Sequence, residues 1–162
     1  MNFTISTRIA QALGVLGISA LGASVVSCAS GGSATVPPPS DPTATVVSFL
    51  AAVQAGDLAR MAQLWGGSSG LTADRVDPTE VEQRLTVIRI YLEHEEYAIV
   101  TGSGNPTILL EPGERLVQVR LTRRGCQPVV PFTLAPYRGG WLIRNIKLED
   151  AGNPARVCQG VS

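Results

Sequence analysis

The sequence has one histidine, three cysteines and one lysine in 162 residues, and its 13 basic side chains are balanced by 13 acidic ones. Each shortage excludes something. With His94 alone there is no Cys/His cluster at zinc-ligand spacing, so no metal and no other cofactor is expected. A balanced charge argues against a nucleic-acid surface, which needs a clear basic excess. The first 28 residues contain no acid and a single base, Arg8. That local lack of charge is the first positive signal.

Arg8 precedes an apolar stretch, residues 10–26, broken by Gln11 and by several Gly and Ser residues. It has the length of a signal-peptide core and too much Gly and Ser for a stable membrane span. Val25-Val26-Ser27-Cys28 at its end resembles a bacterial lipobox. The resemblance implies cleavage before Cys28, a diacylglyceryl group on its thiol and acylation of the new N-terminus. The protein is then a membrane-anchored lipoprotein of the cell envelope, facing the periplasm or exterior. Several acyl chains hold a soluble domain firmly, since each buried methylene contributes about 0.8 kcal/mol. An ordinary cleaved signal with a chance cysteine, and an uncleaved anchor, are the other readings. After Cys28, Gly, Ser and three prolines cannot build a core and suit an extended tether. The chain thus divides into a signal (1–27), a lipidated Cys with a flexible tether (28–41) and a domain (42–162).

Cys126 and Cys158 remain as an even pair on the exported part. Outside the cytoplasm two such thiols usually pair, so an intramolecular disulfide is expected. Two free buried thiols and an intermolecular bridge are the alternatives.

Asp41-Pro42 opens a helix, with Asp or Ser40 as cap and Pro at the first helical position. Val46, Leu50 and Val53 follow at helical spacing, and Gly56 ends it. Asp57 caps a second helix carrying Leu58, Met61, Leu64 and Trp65. The run Gly66 to Gly70 breaks the chain. Asp77-Pro78-Thr79-Glu80 is a capping box that launches a third helix to about Glu93. The period then changes to two, giving strands over 97–101, 115–123, 127–135 and 141–148, the last pair joined by a turn. Residues 107–114 are either a short strand or a loop. Three helices followed by about four antiparallel strands is an α+β pattern: a curved sheet with helices on one face.

The stretch "PTATVVSFLAAVQAGDLARMAQLW" and the final "GGWLIRNIKLE" resemble NTF2-like (cystatin-like α+β) domains. The shared features are an opening helix, the Gly56-Asp57 turn, a short helix ending at Trp65, and Gly140-Trp141 starting the last strand. The resemblance implies a cone, with a bent sheet around the helices and often an apolar pocket. Members of this family include isomerases, dehydratases, small-ligand binders, dimerisation modules and exported lipoproteins.

The chemistry available to a catalytic relative is thin. A ketosteroid-isomerase-like site needs a buried acid and oxyanion donors. The first helix offers only Ser48 and Gln54, and the carboxylates near the strands face outward by alternation. His94, among three glutamates, reads as a solvated helix end rather than a base or metal ligand. Asp57 reads as an N-cap. Arg115, Arg120, Arg123, Arg124 and Arg144 read as the wet face of the sheet. Trp65, Tyr91, Phe132 and Trp141 are the aromatics placed in or near the cone, and an apolar ligand is expected there. The expected function is a non-catalytic module that binds a small apolar ligand or an envelope protein. A small isomerase or dehydratase, and a structural homodimer, are the alternatives. The membrane is the one partner the anchor implies, and no nucleic acid is expected.

Overall fold

A computed structural model describes residues 36–101 and 108–158. The signal segment, Cys28 and the tether up to residue 35 lie outside the described residues, as do residues 102–107 and 159–162.

The described residues form three α-helices, a two-stranded sheet and a four-stranded antiparallel sheet. The helices are α1 (Pro42–Ala55), α2 (Leu58–Leu64) and α3 (Pro78–Tyr91). The small sheet pairs β1 (Gly66–Gly67) with β2 (Gly70–Leu71). The main sheet runs β3 (Glu96–Val100), β4 (Arg115–Thr122), β5 (Val129–Tyr137) and β6 (Gly140–Ile146), each strand paired with its sequence neighbour. The expected α+β order therefore holds. Residues 108–114 form a loop rather than a strand.

Each helix start has a local cause. Asp41 accepts from Ala44 N at 2.7 Å, and Asp57 accepts from Arg60 N at 2.8 Å. Asp77 accepts from Thr79 N at 2.9 Å. These carboxylates satisfy backbone donors that the first turn leaves free. Gly56 closes α1 in the left-handed region, at φ 66°, where a side chain would be strained. The third helix ends at Tyr91, two residues earlier than its apolar spacing predicts.

Alternation along the strands supplies the other half of the core. Val117, Val119 and Leu121 of β4 lie with Val130 and Phe132 of β5. They pack with Val46, Phe49 and Leu50 of α1 and Leu85 of α3, all buried. Between β5 and β6 the register shifts at Thr133/Leu134: Thr133 faces Asn145, and Leu134 faces Ile143. Arg144 is the extra residue, and such a bulge re-aims a side chain.

Packed structure begins before α1. Trp141 N donates to Pro39 O at 3.0 Å, and the Trp141 indole N–H donates to Ser40 O at 3.1 Å. A Cβ on Gly140 would run into Pro38 O. The end of the proline run is thus a strap laid along the start of β6, and glycine at 140 is what allows the close approach.

Candidate functional site

Of the aromatics expected near an apolar pocket, Phe132 is fully buried in the core, while Trp65, Tyr91 and Trp141 are partly buried against it. Their neighbours give three of them separate tasks. Trp65 bridges to Ile143 beside β6. Trp141 holds the strap, with the Arg115 guanidinium 5.7 Å from its ring centre. The Tyr91 carbonyl accepts from Arg123. The cavities described below have other linings.

Cys126 and Cys158 lie at disulfide distance, with Cα atoms 4.9 Å apart and sulfurs in contact. Cys126 closes a tight turn, exchanging backbone hydrogen bonds with Arg123 at 2.7 and 3.0 Å. Cys158 N donates to Arg124 O at 3.0 Å, which brings the tail alongside.

Three polar side chains depart from the sequence reading. Arg123 is not on a wet face: it is 5% exposed. Its guanidinium donates to Tyr91 O and Ala151 O, and to Gly152 O at 3.4 Å. It thereby ties the C-terminal end of α3, where carbonyls lack helical partners and the dipole favours a cation, to the short helical turn Leu148–Ala151 and its cap Gly152. Burial lowers its pKa from the ordinary arginine value, nearby Arg124 adds to that, and Glu93 opposes it. Alternation carried the signal, because position 123 continues the buried series 117, 119, 121.

Glu114 does not look outward; it is 5% exposed. Its Oε2 accepts from Glu111 N at 2.8 Å and from Arg144 at 3.0 Å, while Oε1 lies against Arg144 Nε without an aligned hydrogen bond. Arg144 also reaches Glu111 at 3.4 Å. The bulge in β6 therefore delivers a cation to a buried carboxylate, and the pair staples the loop before β4. Arg115, Arg120 and Arg124 are exposed, as expected of a wet face.

His94 is not a solvated helix end. It is 8% exposed and lies two residues past the cap of α3. Its Nδ1 donates to Leu92 O at 2.7 Å, since a carbonyl can only accept. Tyr97 meets the ring edge-on, with centroids 5.5 Å apart. The other nitrogen, Nε2, is buried and has no partner. No periodic pattern could have shown this, because His94 lies beyond the helix and its burial is tertiary.

Four of the cavities among the described residues bear on these groups. One of about 390 Å³ lies where the strap meets the β5–β6 turn, between Val36, Pro38, Leu71, Tyr137 and Arg138. A mainly apolar groove of about 380 Å³ separates α2 from α3, over Leu58, Ala62, Val81 and Leu85. A third, of about 240 Å³, adjoins the cysteine pair and Arg123. The fourth, also about 240 Å³, is lined by Val53, Gln54, Arg89, Glu93 and His94. Among the described residues no group of three or more His, Cys, Asp or Glu could hold a metal ion. No helix among them is long and apolar enough to cross a membrane.

Comparison with family models, with curated proteins and with solved structures finds no match to this chain.

Proposed function

We propose that this chain is an exported protein, held at a membrane by acyl chains on Cys28, whose NTF2-like domain works by binding rather than catalysis. The observation that carries the reading is the Cys126–Cys158 pair. Thiols at bonding distance persist as a disulfide in oxidising compartments and are kept reduced in the cytosol. Export is what residues 1–27 encode on the lipobox reading. The strap adds to it. A chain leaving Cys28 meets the domain at Pro38–Ser40, which are fastened to Trp141. The domain is then held off the membrane from one defined corner.

The NTF2-like reading is supported by the order of three helices before an antiparallel meander, the left-handed Gly56 before the capping Asp57, and Gly140-Trp141 at the start of β6. Binding rather than catalysis is supported by how the interior is made. Apolar side chains fill the space between helices and sheet, and the buried carboxylate of Glu114 is neutralised by Arg144. That acid is held as an ion pair by Arg144, which it shares with Glu111.

Cell fractionation tests the reading. The wild-type protein stays with the membranes and is released by detergent, whereas Cys28→Ala appears in the soluble exported fraction. Wild-type protein found soluble would overturn the anchor, and a reduced Cys126–Cys158 pair in freshly extracted protein would overturn export.

A further inference from the structure

The two edges of the four-stranded sheet are treated differently. The β6 edge is covered: Trp141 N donates to Pro39 O of the strap, and Trp65 bridges to Ile143. The β3 edge pairs only with β4 among the described residues. Proline, lysine and bulges are devices that keep an edge strand from pairing. From Glu96 to Val100 β3 has no proline and no lysine, and its register runs without a bulge. Glu96, Tyr97 and Ala98 are exposed.

Alternation tells which backbone groups are free. Leu121 N donates to Pro128 O, so Leu121 turns its amide and carbonyl toward β5. Gln118, Arg120 and Thr122 then turn theirs toward β3, where they meet Val100, Ala98 and Glu96. Tyr97 and Ile99 are left with N–H and C=O groups directed away from the sheet. Such a row in extended backbone is a template for one more strand.

Charge selects the strand. Glu95 and Glu96 stand at the start of β3, while its far end, Ile99-Val100-Thr101, carries no charge. A parallel copy in register sets Glu96 against Glu96, and like charges directly opposite are destabilising. An antiparallel copy centred on Ala98 sets Glu96 against Val100 instead. Tyr97 of each copy then exchanges both backbone hydrogen bonds with Ile99 of the other, an aromatic and β-branched pair of the kind that stabilises sheets. Arg120 lies beside Ala98 on the same face as Glu96. Neither Arg120 nor Glu96 has an ion-pair partner among the described residues. The second copy's Glu96 comes two strand spacings from Arg120, about 10 Å to the side. The side chain between them is the small Ala98, so the two long chains can meet over it.

We propose that β3 is a dimerisation edge, through which two copies of this chain join their sheets antiparallel about a two-fold axis at Ala98. A two-fold contact is self-complementary and closes at two copies. The strap lies at the opposite edge, so pairing leaves it in place. The proposal does not depend on the lipid anchor.

The full chain carrying Cys28→Ala is the material for the test, since its other two cysteines are bonded to each other. In ultracentrifugation its mass rises with concentration from monomer to dimer and stops there. On the two-fold axis the facing Cα atoms are about 4.5 Å apart, within disulfide range. Added Ala98→Cys therefore cross-links the dimer under air oxidation. Added Glu96→Cys does not, because position 96 lies about 13 Å along the strand from its own copy. Arg120→Glu weakens the dimer by about tenfold, and Glu96→Arg in the same chain restores it. A monomer at every concentration overturns the proposal, even one whose edge takes an extended segment of another protein. A dimer that Ala98→Cys fails to cross-link, or that Glu96→Cys cross-links as well, also overturns it, as does Arg120→Glu dimerising like its parent. Fractionation of Cys28→Ala reads the anchor separately, so either claim can fail alone.

Discussion

Two buried polar side chains sit at the C-terminal end of α3, and they differ in how far their partners go. Arg123 spends its guanidinium on three carbonyls from two elements. His94 spends one nitrogen on Leu92 O and leaves the other unmatched. Burial is nearly the same, at 5% and 8% exposure, so burial alone does not separate them. The difference is what each group is for. A fully partnered cation holds α3 to the segment after β6. A half-partnered imidazole holds less together.

The comparison can be broken at three points. The largest effect belongs to the cross-link beside Arg123, whose backbone exchanges hydrogen bonds with Cys126. Replacing both Cys126 and Cys158 by serine opens a loop with a sequence separation of 32, and the chain-entropy relation gives a loss of about 3–4 kcal/mol. Urea unfolding of the double variant measures it. An unchanged midpoint would mean that the tail is held by Arg123 and packing alone. Next comes Arg123→Met, which strips Tyr91 O and Ala151 O of their donor. Hydrogen bonds to charged groups contribute about 1.5–3 kcal/mol each and do not add fully, so a loss of about 3 kcal/mol is expected. A loss below about 1 kcal/mol would remove Arg123 from its role as a clamp. The smallest effect is His94→Phe, which keeps a ring against Tyr97 while deleting both nitrogens. One hydrogen bond is lost and one unmatched atom disappears, and these offset to within about 1 kcal/mol. A loss as large as that of Arg123→Met would make His94 structural and undo the contrast.

Much of the scaffold was legible because its signals are local. Asp41-Pro42, Gly56-Asp57 and Asp77-Pro78 mark helix ends by side-chain chemistry that acts within one turn. Val117, Val119 and Leu121 mark a half-buried strand by period alone. The cysteine pair was legible from compartment and parity together. The β1–β2 pair was not, because Gly66, Gly67 and Gly70 carry no side chain from which a period can be read. Arg123 continues the inward series 117, 119 and 121 by position, while its residue type points to the surface. Glu114 was hidden because its partner Arg144 arrives through a bulge thirty residues away, which no alternation anticipates. The strap and the surroundings of His94 depend on segments far apart in the chain, Ser40 bonded to Trp141 and Val53 and Gln54 lining one cavity with His94. Spacing along one element cannot reveal either.

The exported, anchored state is the claim on which the role of the whole domain turns. Its most direct test is the intact mass of the protein extracted from membranes, taken before and after reduction. The account predicts loss of residues 1–27, a diacylglyceryl-modified Cys28 with an acylated N-terminus, and a gain of two hydrogens when Cys126–Cys158 is reduced. A full-length chain with unmodified Cys28, or a mass that reduction leaves unchanged, would contradict it.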